Sequence, residues 1–90
     1  MISVCMATYN GTKYIQEQIN SILSQFGEND ELVISDDGSK DDTCSIISSY
    51  QDSLIKLLFN KGKHGFIGNF ENALSQCKGD YIFLSDQDDF

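Results

Sequence analysis

The chain has no proline, no tryptophan and no arginine, a single histidine and three cysteines. Without proline its helices run uninterrupted. Six lysines and no arginine stand against 14 acidic residues, a formal net charge of −8. That balance argues against a nucleic-acid partner, because phosphate backbones are held by clustered Lys and Arg. No apolar run reaches the roughly 18 residues needed to span a bilayer. Met1-Ile2-Ser3-Val4-Cys5-Met6 carries neither a basic leader nor a cleavage-site pattern, so a cytoplasmic protein is expected. With His64 as the lone histidine, a catalytic triad lacks a candidate base partner, and His64 is expected to be a solvated loop residue. Cys5, Cys44 and Cys77 are widely spaced with no C-x-x-C, which speaks against a disulfide framework or a zinc site. They are expected as reduced thiols on apolar faces. Neither G-x-G-x-x-G nor G-x-x-x-x-G-K-[ST] occurs, so the dinucleotide fingerprint and the P-loop are both missing.

The residues that are present fit one small globular domain: 90 residues, 40% of them hydrophobic. A domain of this size buries only about 60–65% of its unfolded surface, so its stability is marginal. Residues 2–7 form a short, nearly continuous apolar run, as in a strand buried on both faces. Thr8-Tyr9-Asn10-Gly11 breaks it with turn chemistry. From Tyr14 the period becomes helical through Ile15, Ile19, Ile22, Leu23 and Phe26, with Gly27 placed to end the helix. A second strand is predicted over 31–35, ending in Asp36-Asp37-Gly38-Ser39. A second helix starts near Asp41 or Asp42 and carries Cys44, Ile47 and Tyr50 inward. A third strand covers 54–59, then comes a loop with two glycines. Phe66, Phe70, Ala73, Leu74 and Cys77 mark a third helix that Gly79 closes, and a fourth strand covers 80–85. Alternation of this kind predicts an α/β fold, a three-layer α/β/α sandwich around a Rossmann-like parallel sheet. The usual doubly wound choice of strand order is 3-2-1-4.

Seven of the 14 acidic residues lie in two short segments, 35–42 and 86–89. An acidic run is often only a solvated face, but these two come directly after strands. All strands of a parallel sheet share one carboxyl edge, and ligands bind outside it where the strand order reverses. Tyr9-Asn10 and the 86–89 segment would flank that crevice, with Asp37 one strand away. Carboxylates converging on one edge repel one another, which a cation among them relieves. Oxygen donors without His or thiolate favour Mg²⁺ or Mn²⁺, ions that hold one or two carboxylates and complete their shell with substrate phosphates and water. A phosphorylated ligand is therefore expected. In an extended segment Asp86 and Asp88, at i and i+2, point the same way.

Residues 2–10 with the adjoining helix, Val33-Ile34-Ser35-Asp36-Asp37-Gly38-Ser39 with Asp41-Asp42-Thr43, and Leu84-Ser85-Asp86-Gln87-Asp88-Asp89 resemble the family-two inverting glycosyltransferases of the GT-A fold. Gly65-Phe66-Ile67-Gly68-Asn69-Phe70-Glu71-Asn72-Ala73-Leu74 and the ending Asp86-Gln87-Asp88-Asp89 are similar to the bacterial rhamnosyltransferase-like branch. The resemblance covers the whole chain, and its strength lies in three motifs in order at the ends of successive strands.

The resemblance implies that 1–90 is the N-terminal nucleotide-sugar-binding half of a glycosyltransferase domain, an incomplete sheet whose acceptor half is absent. Thr8, Tyr9, Asn10, Asp37 and Asp86 become the nucleotide-binding residues. Tyr9 packs on the base, or else plugs the top of the sheet. Asp37 hydrogen-bonds the base, and Asp36 only orients the turn. Asp86 lies near ribose. Asp88 is the metal ligand, for Mn²⁺ or Mg²⁺, with Asp89 supporting it or capping the next segment. Asn69 faces either the site or solvent. Gly65 and Gly68 let the backbone approach the sugar nucleotide, or shape a turn. The implied donor is a UDP- or dTDP-sugar, the branch suggesting a deoxysugar on dTDP. The implied acceptor is a saccharide or a lipid-linked acceptor, in bacterial cell-surface polysaccharide assembly at the inner face of the plasma membrane. An inverting transfer needs a base to deprotonate the acceptor hydroxyl. That base belongs to the later half, so no catalytic residue is assigned here, and the chain alone is expected to be inactive and prone to self-association. Two other readings stay open: a module that binds a nucleotide diphosphate and transfers nothing, and a receiver-type domain phosphorylated on an Asp.

Overall fold

The computed structural model describes residues 1–86. The order is β1 (Ile2–Thr8), α1 (Ile15–Leu23), β2 (Glu31–Asp36), α2 (Thr43–Ser49), β3 (Ile55–Phe59), α3 (Phe66–Leu74) and β4 (Tyr81–Asp86). The four strands form one parallel sheet in the order β3-β2-β1-β4, as expected. The chain winds outward from β1 through β2 to β3, then crosses back to place β4 on the other side of β1. Parallel crossovers are right-handed, so reversing the direction of travel moves the connecting helix to the opposite face. α1 and α2 accordingly cover one face and α3 the other, giving three layers.

Strand alternation sorts the core. Val4 and Met6 of β1 and Leu32 and Ile34 of β2 point to the first face, where they meet Ile15 and Ile19 of α1 and Ile47 of α2. Each of these aliphatic side chains contributes about 1.5–3 kcal/mol by leaving water. Cys5 and Val33, one residue out of phase, face α3 and meet Ala73, with Leu58 and Cys77 alongside. Here the sulfurs of Cys5 and Cys77 are brought together, with Cα atoms 7.2 Å apart, a separation wider than usual for a cystine. Of the three cysteines expected to lie apart, Cys44 alone is separate from the others. Packing α3 on the odd-numbered face of β1 brings the other two together.

α1 and α3 each stop a turn earlier than their apolar periodicity suggests. Gln25 N–H to Ile22 O, Phe26 N–H to Leu23 O, Gln76 N–H to Ala73 O and Cys77 N–H to Leu74 O are all i to i−3 bonds. These tighten the last turn and turn Phe26 and Cys77 back onto the core. At the amino edge three carboxylates tie the chain down. Asp30 accepts from Ile2 and Gly27 N–H, Glu31 from Ser3 Oγ and Lys78 N–H, and Asp80 lies 3.4 Å from the N-terminal amine. β4 is the bare edge: Tyr81, Ile82, Phe83 and Leu84 are 44–69% exposed. No described helix is long and apolar enough to cross a membrane.

Candidate functional site at the carboxyl edge

The strand ends of β1 and β2 meet at the carboxyl edge. Thr8 is buried, and its carbonyl accepts the Asp37 N–H at 3.1 Å and Asn69 Nδ2 at 3.2 Å. Tyr9 comes next, at the rim, 48% exposed. Asn10 takes a left-handed backbone conformation, φ 51°, which asparagine tolerates better than most residues. Its N–H donates to Ser39 Oγ and its Oδ1 accepts Lys40 N–H, both at 2.8 Å. Gly11 N–H then donates to the buried Thr43 Oγ1 at 2.8 Å and Thr12 N–H to Asp41 Oδ2 at 3.2 Å. These bonds sew the β1–α1 loop to the β2–α2 loop. The Asp41 carboxyl is held well below the usual range, first by the Thr43 hydroxyl, with partial burial opposing and Thr12 and backbone N–H donors adding to the effect.

The two adjacent acids after β2 do different work. Asp36 is 1% exposed and accepts Gly38 N–H at 3.0 Å, Ser39 N–H at 2.8 Å and the Ser39 hydroxyl, so it orients its own turn. Asp37 reaches across to the β3–α3 loop. Its Oδ1 accepts Asn60 Nδ2 at 3.0 Å and lies 2.7 Å from His64 Nδ1, while Oδ2 accepts Gly65 N–H at 2.9 Å. Its carboxyl is lowered chiefly by the Gly65 N–H; burial opposes, and the His64 and Asn60 hydrogen bonds and the His64 charge reinforce the shift. Asn60 is itself buried and bridges Asp37 to the Lys63 carbonyl at 2.8 Å. Each β2 acid is thus compensated by donors of its own chain. The mutual repulsion that suggested a cation among them is not what these two residues present.

Asn69, left between site and solvent by its sequence, takes neither place. It is 2% exposed under the edge, accepting Ser35 Oγ at 2.7 Å while donating to Thr8 O, and Asn72 Nδ2 supports Ser35 at 2.8 Å. Gly68 is needed for close approach: a Cβ there would stand 2.0 Å from the Lys63 carbonyl oxygen. Gly65 is needed for conformation, φ 103°. His64 is largely exposed, as expected of a loop residue, yet it is not merely solvated, because Asp37 holds its Nδ1.

Thr8, Tyr9, Asn10 and Asp37 therefore gather at one edge. Asp86 ends β4 in register with Ala7, on the other side of β1 from Asp37 and next to the reversal of strand order. Asp88 and Asp89 lie outside the described residues. Among the described residues no group of three or more metal-ligating side chains is assembled. Sequence reasoning missed Asn60, His64, Ser39 and Thr43. The usable signal was position: a polar loop after β3 must lie on the same edge as the loops after β1 and β2.

An open parallel sheet with helices on both faces and its loops gathered beside the switch point is the architecture of nucleotide-binding α/β domains. The chain belongs to glycosyl transferase family 2, whose model matches residues 3–90. It is 39% identical over 90 residues to the Escherichia coli UDP-Glc:alpha-D-GlcNAc-diphosphoundecaprenol beta-1,3-glucosyltransferase WfaP, covering 100% of this chain and 36% of that protein. Among solved structures it is similar to S. aureus TarS in complex with UDP-GlcNAc, with TM-score 0.80, 34% identity, and 97% of this chain against 26% of that one. It is also similar to M. tuberculosis glucosyl-3-phosphoglycerate synthase in complex with Mn²⁺, UDP and glucosyl-3-phosphoglycerate, with TM-score 0.84, 25% identity, and 98% of this chain against 33% of that one. The chain spans about a third of the length of the curated relatives it matches. Family membership sets aside the receiver-type reading.

Proposed function

We propose that these residues form the donor half of an enzyme that transfers a sugar from a nucleotide-diphosphate carrier to an acceptor hydroxyl with inversion. The observation that carries this is the family match over 3–90 together with the gathering of Thr8, Tyr9, Asn10 and Asp37 beside the switch point. Tyr9 offers an exposed ring for the base and Asp37 a hydrogen-bond acceptor. Thr8 and Asn10 shape the floor and the rim, and Asp86, which ends β4, is assigned to the ribose on the family resemblance. UDP is the nucleotide to test first, since the relatives named above carry UDP or UDP-sugars, with dTDP as the comparison.

The protein ligand for Mn²⁺ or Mg²⁺ is assigned to Asp88 on the family resemblance; Asp36 and Asp37 are engaged by their own turn and loop. One carboxylate suffices for such an ion when diphosphate oxygens and water complete its shell. When bound, the ion would supply charge neutralisation at the departing diphosphate. The bond to the anomeric carbon breaks as the acceptor oxygen attacks from the opposite side, and a general base in another part of the enzyme takes the hydroxyl proton. The acceptor class is a saccharide on a lipid diphosphate, by likeness to the acceptor of WfaP, and the reaction is assigned in this proposal to the inner face of the membrane.

The test is calorimetric titration of UDP and dTDP, each with and without Mn²⁺. Asp88→Asn removes a charge-assisted contact and is expected to cost about 1.5–3 kcal/mol, roughly ten- to a hundredfold in affinity. Asp37→Asn is expected to weaken binding while leaving the Mn²⁺ dependence intact. Parent-like affinity and unchanged Mn²⁺ dependence in Asp88→Asn would remove the metal assignment. Sugar-transfer assays of a version extended at its C-terminus separate an enzyme from a module that only binds.

A further inference from the structure

The Asp37 carboxylate has about four lone-pair positions. Asn60 Nδ2 and His64 Nδ1 take both on Oδ1, and Gly65 N–H takes one on Oδ2. One acceptor position remains, on a side chain only 13% exposed, so little of it opens to a ligand. An ionised carboxylate can only accept, which means the ring nitrogen facing it must carry the proton. His64 is thereby set in the Nδ1–H form, with Nε2 on the far side of a ring that is 71% exposed.

We propose that His64 is a positioning residue of the nucleotide site. It donates from Nδ1 to Asp37 and fixes both the carboxylate and the 60–65 loop, so that the last acceptor position meets a single N–H donor. This deepens the nucleotide-binding reading above and rests on it. The chemistry selects a base that presents a ring N–H to that position, as uracil and thymine do, and disfavours cytosine, whose corresponding ring nitrogen is an acceptor. The loop is a suitable object for such a device. It is held to β2 by Asn60 N–H to Asp36 O at 2.8 Å and by Asn60 Nδ2, but between Lys61 and His64 its side chains are exposed. His64 is the side chain of that exposed stretch that returns to Asp37.

The experiment uses the full chain, with UDP and CDP as probes, and the variants His64→Ala and His64→Asn. Asn places its amide nitrogen where the imidazole places Nδ1, so it keeps the donor and discards the ring. His64→Ala is expected to bind UDP about tenfold more weakly and to narrow the preference for UDP over CDP. His64→Asn is expected to stay within about threefold of the parent. Circular dichroism checks that both variants fold. Separately, ¹⁵N spectra of the imidazole should report the Nδ1–H form in the parent and its loss in Asp37→Asn. UDP affinity unchanged in His64→Ala, or His64→Asn as weak as His64→Ala, overturns the proposal. If the parent binds no nucleotide while its ring is still in the Nδ1–H form, the nucleotide reading has failed and the clasp is purely structural. If nucleotide binds but the ring is not in the Nδ1–H form, the nucleotide reading stands and the proposal falls.

Discussion

Replacing Gly68 by alanine sets two effects of opposite sign against each other. Gly68 lies inside α3, where alanine is ordinarily favoured by about 0.5–1 kcal/mol because glycine loses more backbone entropy on folding. A Cβ at this position would stand 2.0 Å from the Lys63 carbonyl oxygen and 2.8 Å from its carbon. Both atoms are backbone, so no side-chain rotation relieves the overlap, and the loop must move by an ångström or more. Overpacking of this kind costs about 1–3 kcal/mol. The clash wins, and the net destabilisation is expected to be about 1–2 kcal/mol. For a domain of this length that is a fall in Tm of about 5–15 °C, read by circular dichroism on heating. Gly27→Ala is the matched control. Its Cβ would meet only Asp30 Oδ2 at 3.7 Å, an ordinary contact, so its Tm should hardly change. The displaced segment carries Asn60, His64 and Gly65, so Gly68→Ala should weaken UDP binding as well. A Gly68→Ala chain as stable as the parent, or more so, would show that helix propensity dominates and that α3 and the loop are not in close contact.

Three further outcomes are expected. Asn69→Leu keeps the volume but removes the bonds to Ser35 and Thr8, and urea unfolding should show a loss of about 1–3 kcal/mol; no loss would mean the buried bonds are not formed. The Asp37 carboxyl is depressed in the folded chain, so its stabilising effect is present above the ordinary aspartate value of about 3.9 and is lost as pH falls through the folded value. The Tm gap between parent and Asp37→Asn should therefore be constant near neutrality and close in acid, and a gap unchanged at low pH would contradict it. The bare β4 edge should make the chain self-associate, with sedimentation mass rising with concentration and Leu84→Lys suppressing the rise. A parent chain that stays monomeric throughout would rule this out.

Much of the fold was legible because its signals are local. An apolar run buried on both faces, a change of period at Tyr14, and turn residues after each strand fall within a few positions of one another, and they marked every element to within a few residues. The same locality explains the errors at helix ends. Phe26 and Cys77 are in phase with their helices but are carried inward by i to i−3 turns that no periodicity reveals.

The sequence by itself determined that three polar clusters end strands of a parallel sheet, which is enough to place them on one edge. Only the tertiary structure decided what each acid does there. Asp36 and Asp37 are neighbours of identical type, yet one closes its own turn and the other reaches residues 23–28 positions away. That reach exists because β3 lies beside β2 in parallel register, Asp36 opposite Phe59, which brings the loop after β3 next to the end of β2. Likewise Cys5 meets Cys77 because α3 packs on the face of β1 that carries Cys5. Patterning is set by neighbours along the chain, whereas these pairings are set by which strands lie side by side and by the face a crossover helix covers.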